Sequence, residues 1–130
     1  MPRIILGIVI AVGIAYGCSS YSPRISHWVV QSFQPSWPAW MAVDIILSSL
    51  GVFGGCIVGM LLSRNSTKPV PFAVALLGVL YFAWCYVQSP AYFQRLPIWY
   101  SSAIPITIVF ACVLSYFAFS LIRVSHEKCT

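Results

Sequence analysis

The chain has 130 residues, 60% of them apolar and 7% charged, with a formal net charge of +5. A soluble domain carries roughly a quarter charged residues, so this composition excludes a water-soluble globular protein and asks for lipid as solvent. In a soluble protein the positive balance would suggest nucleic acid. Here loop orientation accounts for it, and no nucleic-acid partner is expected.

Hydropathy divides the chain into four apolar segments: Ile4–Ser20, Trp40–Ser63, Val70–Gln88 and Ile98–Ile122. Each is close to the roughly 17–25 residues with which a helix crosses a bilayer. In hydrocarbon every backbone group must be paired within the spanning element, which leaves helices or closed barrels. Barrel strands alternate apolar and polar residues, and these segments do not. The expected fold is therefore all-α: a bundle of four transmembrane helices forming one integral membrane domain over residues 1–130. External loops fall at 21–39 and 89–97, an internal loop at 64–69 and a tail at 123–130. Arg3, Arg64, Lys68, Arg123 and Lys128 fall on one side of these crossings, and Arg24 and Arg95 on the other. The positive-inside rule then puts both termini in the cytoplasm of a multi-pass plasma-membrane protein, expected in a bacterial inner membrane.

The first segment carries Gly7, Ala11 and Ala15 at intervals of four, with Gly13 and Gly17 on another face. Its start, Met1-Pro2-Arg3, and its end, Ala15-Tyr16-Gly17-Cys18-Ser19-Ser20, together resemble a bacterial lipoprotein signal, which implies lipidation of Cys18. The segment departs from that pattern at Ala15 and at the bulky Tyr16, and an uncleaved helix is the preferred reading. In the loop that follows, Ser26–Phe33 reads as a short interfacial helix with Trp28, Val29 and Phe33 toward lipid, ended by Pro35 and Pro38.

The second segment holds the strongest pattern. Gly51, Gly55, Gly59 and Ser63 repeat every four residues and line one helix face with almost no side chain. Such a stripe predicts close approach of another helix. The fourth segment offers a matching face at Ala103, Thr107, Ala111 and Ser115, so segments two and four are expected to pack through their small faces. Pro105 in its early turns predicts a kink. In the third segment Tyr81, Phe82, Trp84 and Tyr86 gather toward one end as an interfacial belt should.

Candidate chemistry is sparse. The five cysteines form no CxxC pair and sit at no metal-ligand spacing. No metal or other cofactor is expected, and Ser, His and Asp occur in no arrangement of a nucleophilic triad, so an enzyme is not expected. Asp44, one of two acidic residues, lies about one turn into the second segment and on the glycine face. An acid within a membrane segment is a functional candidate by default. The competing reading is structural: an anion at a helix N-terminus, paired with Arg24 or Arg95.

Beyond the lipid bilayer itself, two function classes follow. The first is helix-mediated association with a membrane protein partner, as an accessory subunit or as an immunity-type protein that blocks a pore-forming toxin; such immunity proteins are similar in size and helix count. The second is a homo-oligomeric small transporter or channel using Asp44. Small multidrug transporters and fluoride channels are similar in length and helix number. This chain lacks the acidic residue of the former's first segment and the Phe- and Thr-rich pore motifs of the latter. A membrane-perturbing, holin-like role ranks below both.

Overall fold

The computed structural model describes residues 1–31, 37–63 and 68–128, and they are helical almost throughout. In chain order α1 spans Pro2–Gln31, α2 Trp37–Ser63, α3 Pro69–Gln88, α4 Pro90–Gln94 and α5 Ile98–Lys128. Four of these are long and apolar enough to cross a membrane, over Pro2–Trp28, Ala39–Ser63, Pro69–Gln88 and Ile98–Arg123. That is the pattern of a multi-pass membrane protein, in agreement with the all-α expectation. Arg64, Phe33, Pro35 and Cys129 lie outside the described residues.

The first helix does not stop at Ser20. It continues through Ser22, Pro23 and Ser26 to Gln31, over part of the segment read as a loop. Pro23 has no N–H, so one carbonyl in the preceding turn loses its helical donor. A tertiary tie offsets this loss: the Ser22 hydroxyl lies 2.9 Å from the Asp44 carbonyl oxygen and 2.5 Å from its Oδ1. Short-range sequence signals in Ser19–Arg24 favour a turn, and this long-range bond favours the helix. The interfacial helix read at 26–33 is, as far as Gln31, simply the end of α1, with Trp28 exposed.

α1 and α2 run antiparallel and make the most extensive contact in the bundle. Their backbones come very close. A Cβ placed on Gly55 would sit 2.7 Å from the Ala11 carbonyl oxygen, and one on Gly59 would sit 2.6 Å from the Gly7 carbonyl oxygen. On Gly51 it would collide with the Cβ of Cys18, and on Gly7 with Ser63 Oγ. Ser63 returns its hydroxyl to the Gly59 carbonyl at 2.8 Å and so adds no unpaired polar group to the seam. The glycine stripe therefore faces Gly7, Ala11 and Cys18 of the first helix, and the expected mating with the fourth segment is corrected. The physical reason is local: three segments carry small-residue stripes, and the α1–α2 pair brings glycine to both sides of its crossing.

α5 packs on a neighbouring face of α2, in parallel with it. Cys56 and Cys112 place their sulfurs 3.8 Å apart, and Ala111 and Ser115 are buried beside them. Ala103 and Thr107, higher on the same helix, are half-buried. Ala11, Val52, Cys56, Met60, Val70 and Val74 join Cys112 in a core that all four spanning helices share. The outer faces of α3 and α5 carry Phe72, Leu80, Phe110, Phe117 and Leu121, all exposed as lipid-facing residues must be.

The second connection is not a plain loop. Pro90 begins the short α4, where a missing N–H costs nothing. The ring of Phe93 then packs against Phe82 at 5.5 Å and Tyr86 at 5.3 Å, centroid to centroid. This folds the connection back over the end of α3.

Candidate functional site

Towards the end of the bundle that α4 covers, the four long helices separate and leave a cavity of about 480 Å³. Such a volume falls within the roughly 300–1,000 Å³ typical of small-molecule sites. Its wall is largely apolar. α1 contributes Val12, Ala15, Tyr16 and Ser19; α2 contributes Asp44, Ile45, Ser48, Ser49 and Val52. α3 adds Val74, Leu77, Gly78, Tyr81, Phe82 and Cys85, and α5 adds Tyr100, Ile104, Thr107 and Ile108. Tyr92, Phe93 and Leu96, from α4 and the residues after it, close the end.

Asp44 is the polar centre of this wall. It is 6% exposed. Tyr100 donates a short hydrogen bond to its Oδ2, and Ser22 donates on the opposite side at Oδ1. The tyrosine in turn leans on Trp40, ring centroids 5.8 Å apart. Three helices are thus tied at one carboxyl group: α1 through Ser22, α2 through Asp44 itself and α5 through Tyr100. Every buried side-chain nitrogen or oxygen among the described residues has a hydrogen-bond partner, as low-dielectric surroundings demand.

This arrangement brings Asp44 to the glycine-lined face of α2, as the spacing predicts, but not to an arginine. Both carboxyl oxygens are engaged by hydroxyls, while Arg24 lies over the ring of Tyr21 at 5.9 Å and Arg95 is exposed beyond α4. A guanidinium keeps its hydration at the surface, whereas a buried acid needs donors that come without a charge to desolvate; Ser22 and Tyr100 are such donors. Sequence reasoning missed both. A serine in the turn before Pro23 and a tyrosine at the start of the fourth segment read equally well as interfacial residues.

At the seam between α1 and α3 the rings of Tyr16 and Tyr81 meet edge to face, 5.6 Å between centroids. Both remain more than half exposed, at 55% and 53%. Both rings also line the cavity, at the seam between these two helices. No group of three or more His, Cys, Asp or Glu residues able to hold a metal occurs among the described residues. The arrangement can accept an apolar body of small-molecule size and offer it one acid, several hydroxyls and aromatic faces. Comparison of the chain with protein-family models, with curated proteins and with solved structures finds no match in any of the three.

Proposed function

We propose that this chain is a membrane-embedded binding protein for a small, largely apolar molecule, held in the cavity between its four long helices. The observation that carries this reading is the cavity itself: about 480 Å³ of apolar space with one buried acid on its wall. A partly open, apolar concavity of this volume with a few convergent polar groups is the form that small-molecule sites take. The half-exposed Tyr16 and Tyr81 rings, on the wall at the seam of α1 and α3, support entry from the bilayer on that side. Transport of the bound molecule, with Asp44 as the coupling group, is the natural extension of the same reading.

Native mass spectrometry of the particle extracted in mild detergent tests it. The expected spectrum contains an adduct with the mass of one small hydrophobic molecule, lost when Leu77→Trp fills the cavity. A particle that never carries such an adduct, and takes up none when apolar compounds are added, overturns the proposal.

Helix-mediated association remains the second reading, but its surface changes. Gly51, Gly55 and Gly59 meet α1 of their own chain, so a membrane protein partner or a second copy would dock on the outer faces of α3 and α5. A stoichiometric second protein in the same spectra would favour it.

For orientation we propose both termini in the cytoplasm. Arg3, Lys68 and Arg123 lie at one end of the antiparallel bundle, with Arg24 and Arg95 at the other, and basic residues favour the cytoplasmic side. In a cysteine-free background, Lys68→Cys is expected to react with an impermeant maleimide only after the membrane is opened, and Arg95→Cys in intact cells. The reverse pattern inverts the topology.

A further inference from the structure

We infer that the molecule held in this cavity is a hydrophobic organic cation, with the Asp44 carboxylate as its counter-ion. This rests on the reading of the cavity as a binding site and adds the ligand's charge. Asp44 is the charged type of residue on the wall: the lining includes no Lys, Arg or His among the described residues. Arg24 and His27 face a separate surface recess beside Trp40. An anion entering the cavity would meet a second negative charge in a low-dielectric space, and a neutral molecule would leave the acid with hydroxyl partners alone. A lipophilic cation, which leaves water more cheaply than a guanidinium, adds a counter-charge to the two hydroxyl donors already on Asp44.

The rest of the wall points the same way. Tyr16, Tyr81, Phe82 and Phe93 gather their rings around the space, and aromatic faces attract cations. The aliphatic wall of Val52, Val74, Leu77, Ile104 and Ile108 asks for an apolar body around the charge. A bare metal ion does not suit it. The oxygen donors are confined to the region of Asp44, Ser48, Ser49 and Tyr100, and a hard cation takes about six or more oxygens and would leave most of the volume empty. A tertiary or quaternary onium with aromatic or alkyl substituents fits both the charge and the walls.

Two ions of nearly equal size and shape but opposite charge provide the test: tetraphenylphosphonium and tetraphenylborate. Their binding to the purified full chain is measured by equilibrium dialysis, with protein-free micelles subtracted. The expected result is a preference of about tenfold or more for the phosphonium, the scale of about 1.4 kcal/mol. Asp44→Asn removes that preference by weakening phosphonium binding alone, and Asp44→Glu retains it. Equal binding of the two ions, or a preference for the borate, overturns the cation assignment while leaving an apolar site in place. Binding of neither overturns both. The comparison on the unmodified chain decides even where the Asn variant does not fold.

Discussion

Replacing Gly59 with leucine is expected to abolish the folded bundle, whereas the same change at Gly54 is tolerated. A Cβ on Gly59 would lie 2.6 Å from the Gly7 carbonyl oxygen, 2.8 Å from Ala11 Cβ and 2.9 Å from Val70 Cγ1. Two of those atoms belong to α1 and one to α3, and the nearest is backbone, which cannot rotate aside. The three helices must separate to admit even a methyl group. Overpacking a core with added methylenes costs about 1–3 kcal/mol where side chains can adjust. A clash with backbone on a lipid-embedded seam exceeds that range, because the seam's stability comes from close packing in the first place. Gly54, one residue from Gly55, has no neighbour within 4 Å of its Cβ position. Gly54→Ala should change stability by no more than about 0.5 kcal/mol, and Gly59→Ala should be far more harmful. Unfolding in detergent, followed by circular dichroism across these variants, separates the two sites. Equal stabilities would show that the α1–α2 approach is looser than these distances.

The second large effect is expected at Asp44. Its replacement by alanine removes the carboxyl acceptor of both Ser22 and Tyr100 and unties α5 from α2 at this point, while Ser22 keeps its bond to the backbone carbonyl at position 44. The Ser22 hydroxyl retains that carbonyl, 2.9 Å away in the unmodified chain, and is not stranded. The Tyr100 hydroxyl has no such recourse. A stranded buried polar group costs about 1–3 kcal/mol, and Asp44→Ala is expected to lose about that much or more. Asp44→Asn keeps an acceptor oxygen and should fall between alanine and the unmodified chain. The double variant Asp44→Ala with Tyr100→Phe removes the stranded hydroxyl as well and should recover part of the loss, a coupling that a double-mutant cycle measures. If the two changes simply add, the carboxyl and the phenol are not partners, and the tie between α2 and α5 rests elsewhere.

Hydropathy made the four spanning helices legible, because continuous apolar runs in lipid leave the chain no alternative. The end of α1 was not legible. Ser19–Arg24 holds serines, a proline and an arginine, which is turn composition by every local rule. What keeps it helical is Ser22 meeting Asp44, a contact between residues far apart in sequence. The glycine stripe was legible as a close-approach face but not its mate: Gly7–Ala11–Ala15 and Ala103–Thr107–Ala111 present the same period, and periodicity alone does not choose between them.

The site was half legible. An acid inside a membrane segment drew attention to Asp44, and counting by helical turns put it on the correct face. Charge arithmetic then favoured Arg24 or Arg95 as partners, since it takes no account of which groups can leave water cheaply. Ser22 and Tyr100 can, and the arginines stay outside. The cavity was not legible at all, because it is no residue's property: it is space left where the helices part and α4 folds over, and only the packed arrangement reveals it.

Locating a bound molecule is the most direct test of the cavity as a binding site. The chain would carry labelled isoleucine, leucine and valine methyls in deuterated-lipid nanodiscs, and tetraphenylphosphonium would be added. Intermolecular nuclear Overhauser contacts are expected from its phenyl protons to Ile45, Leu77 and Ile108 on the cavity wall, and not to the outward-facing Leu50, Leu61 and Leu121. Contacts confined to the outward-facing methyls would place the molecule in the lipid boundary and contradict the account.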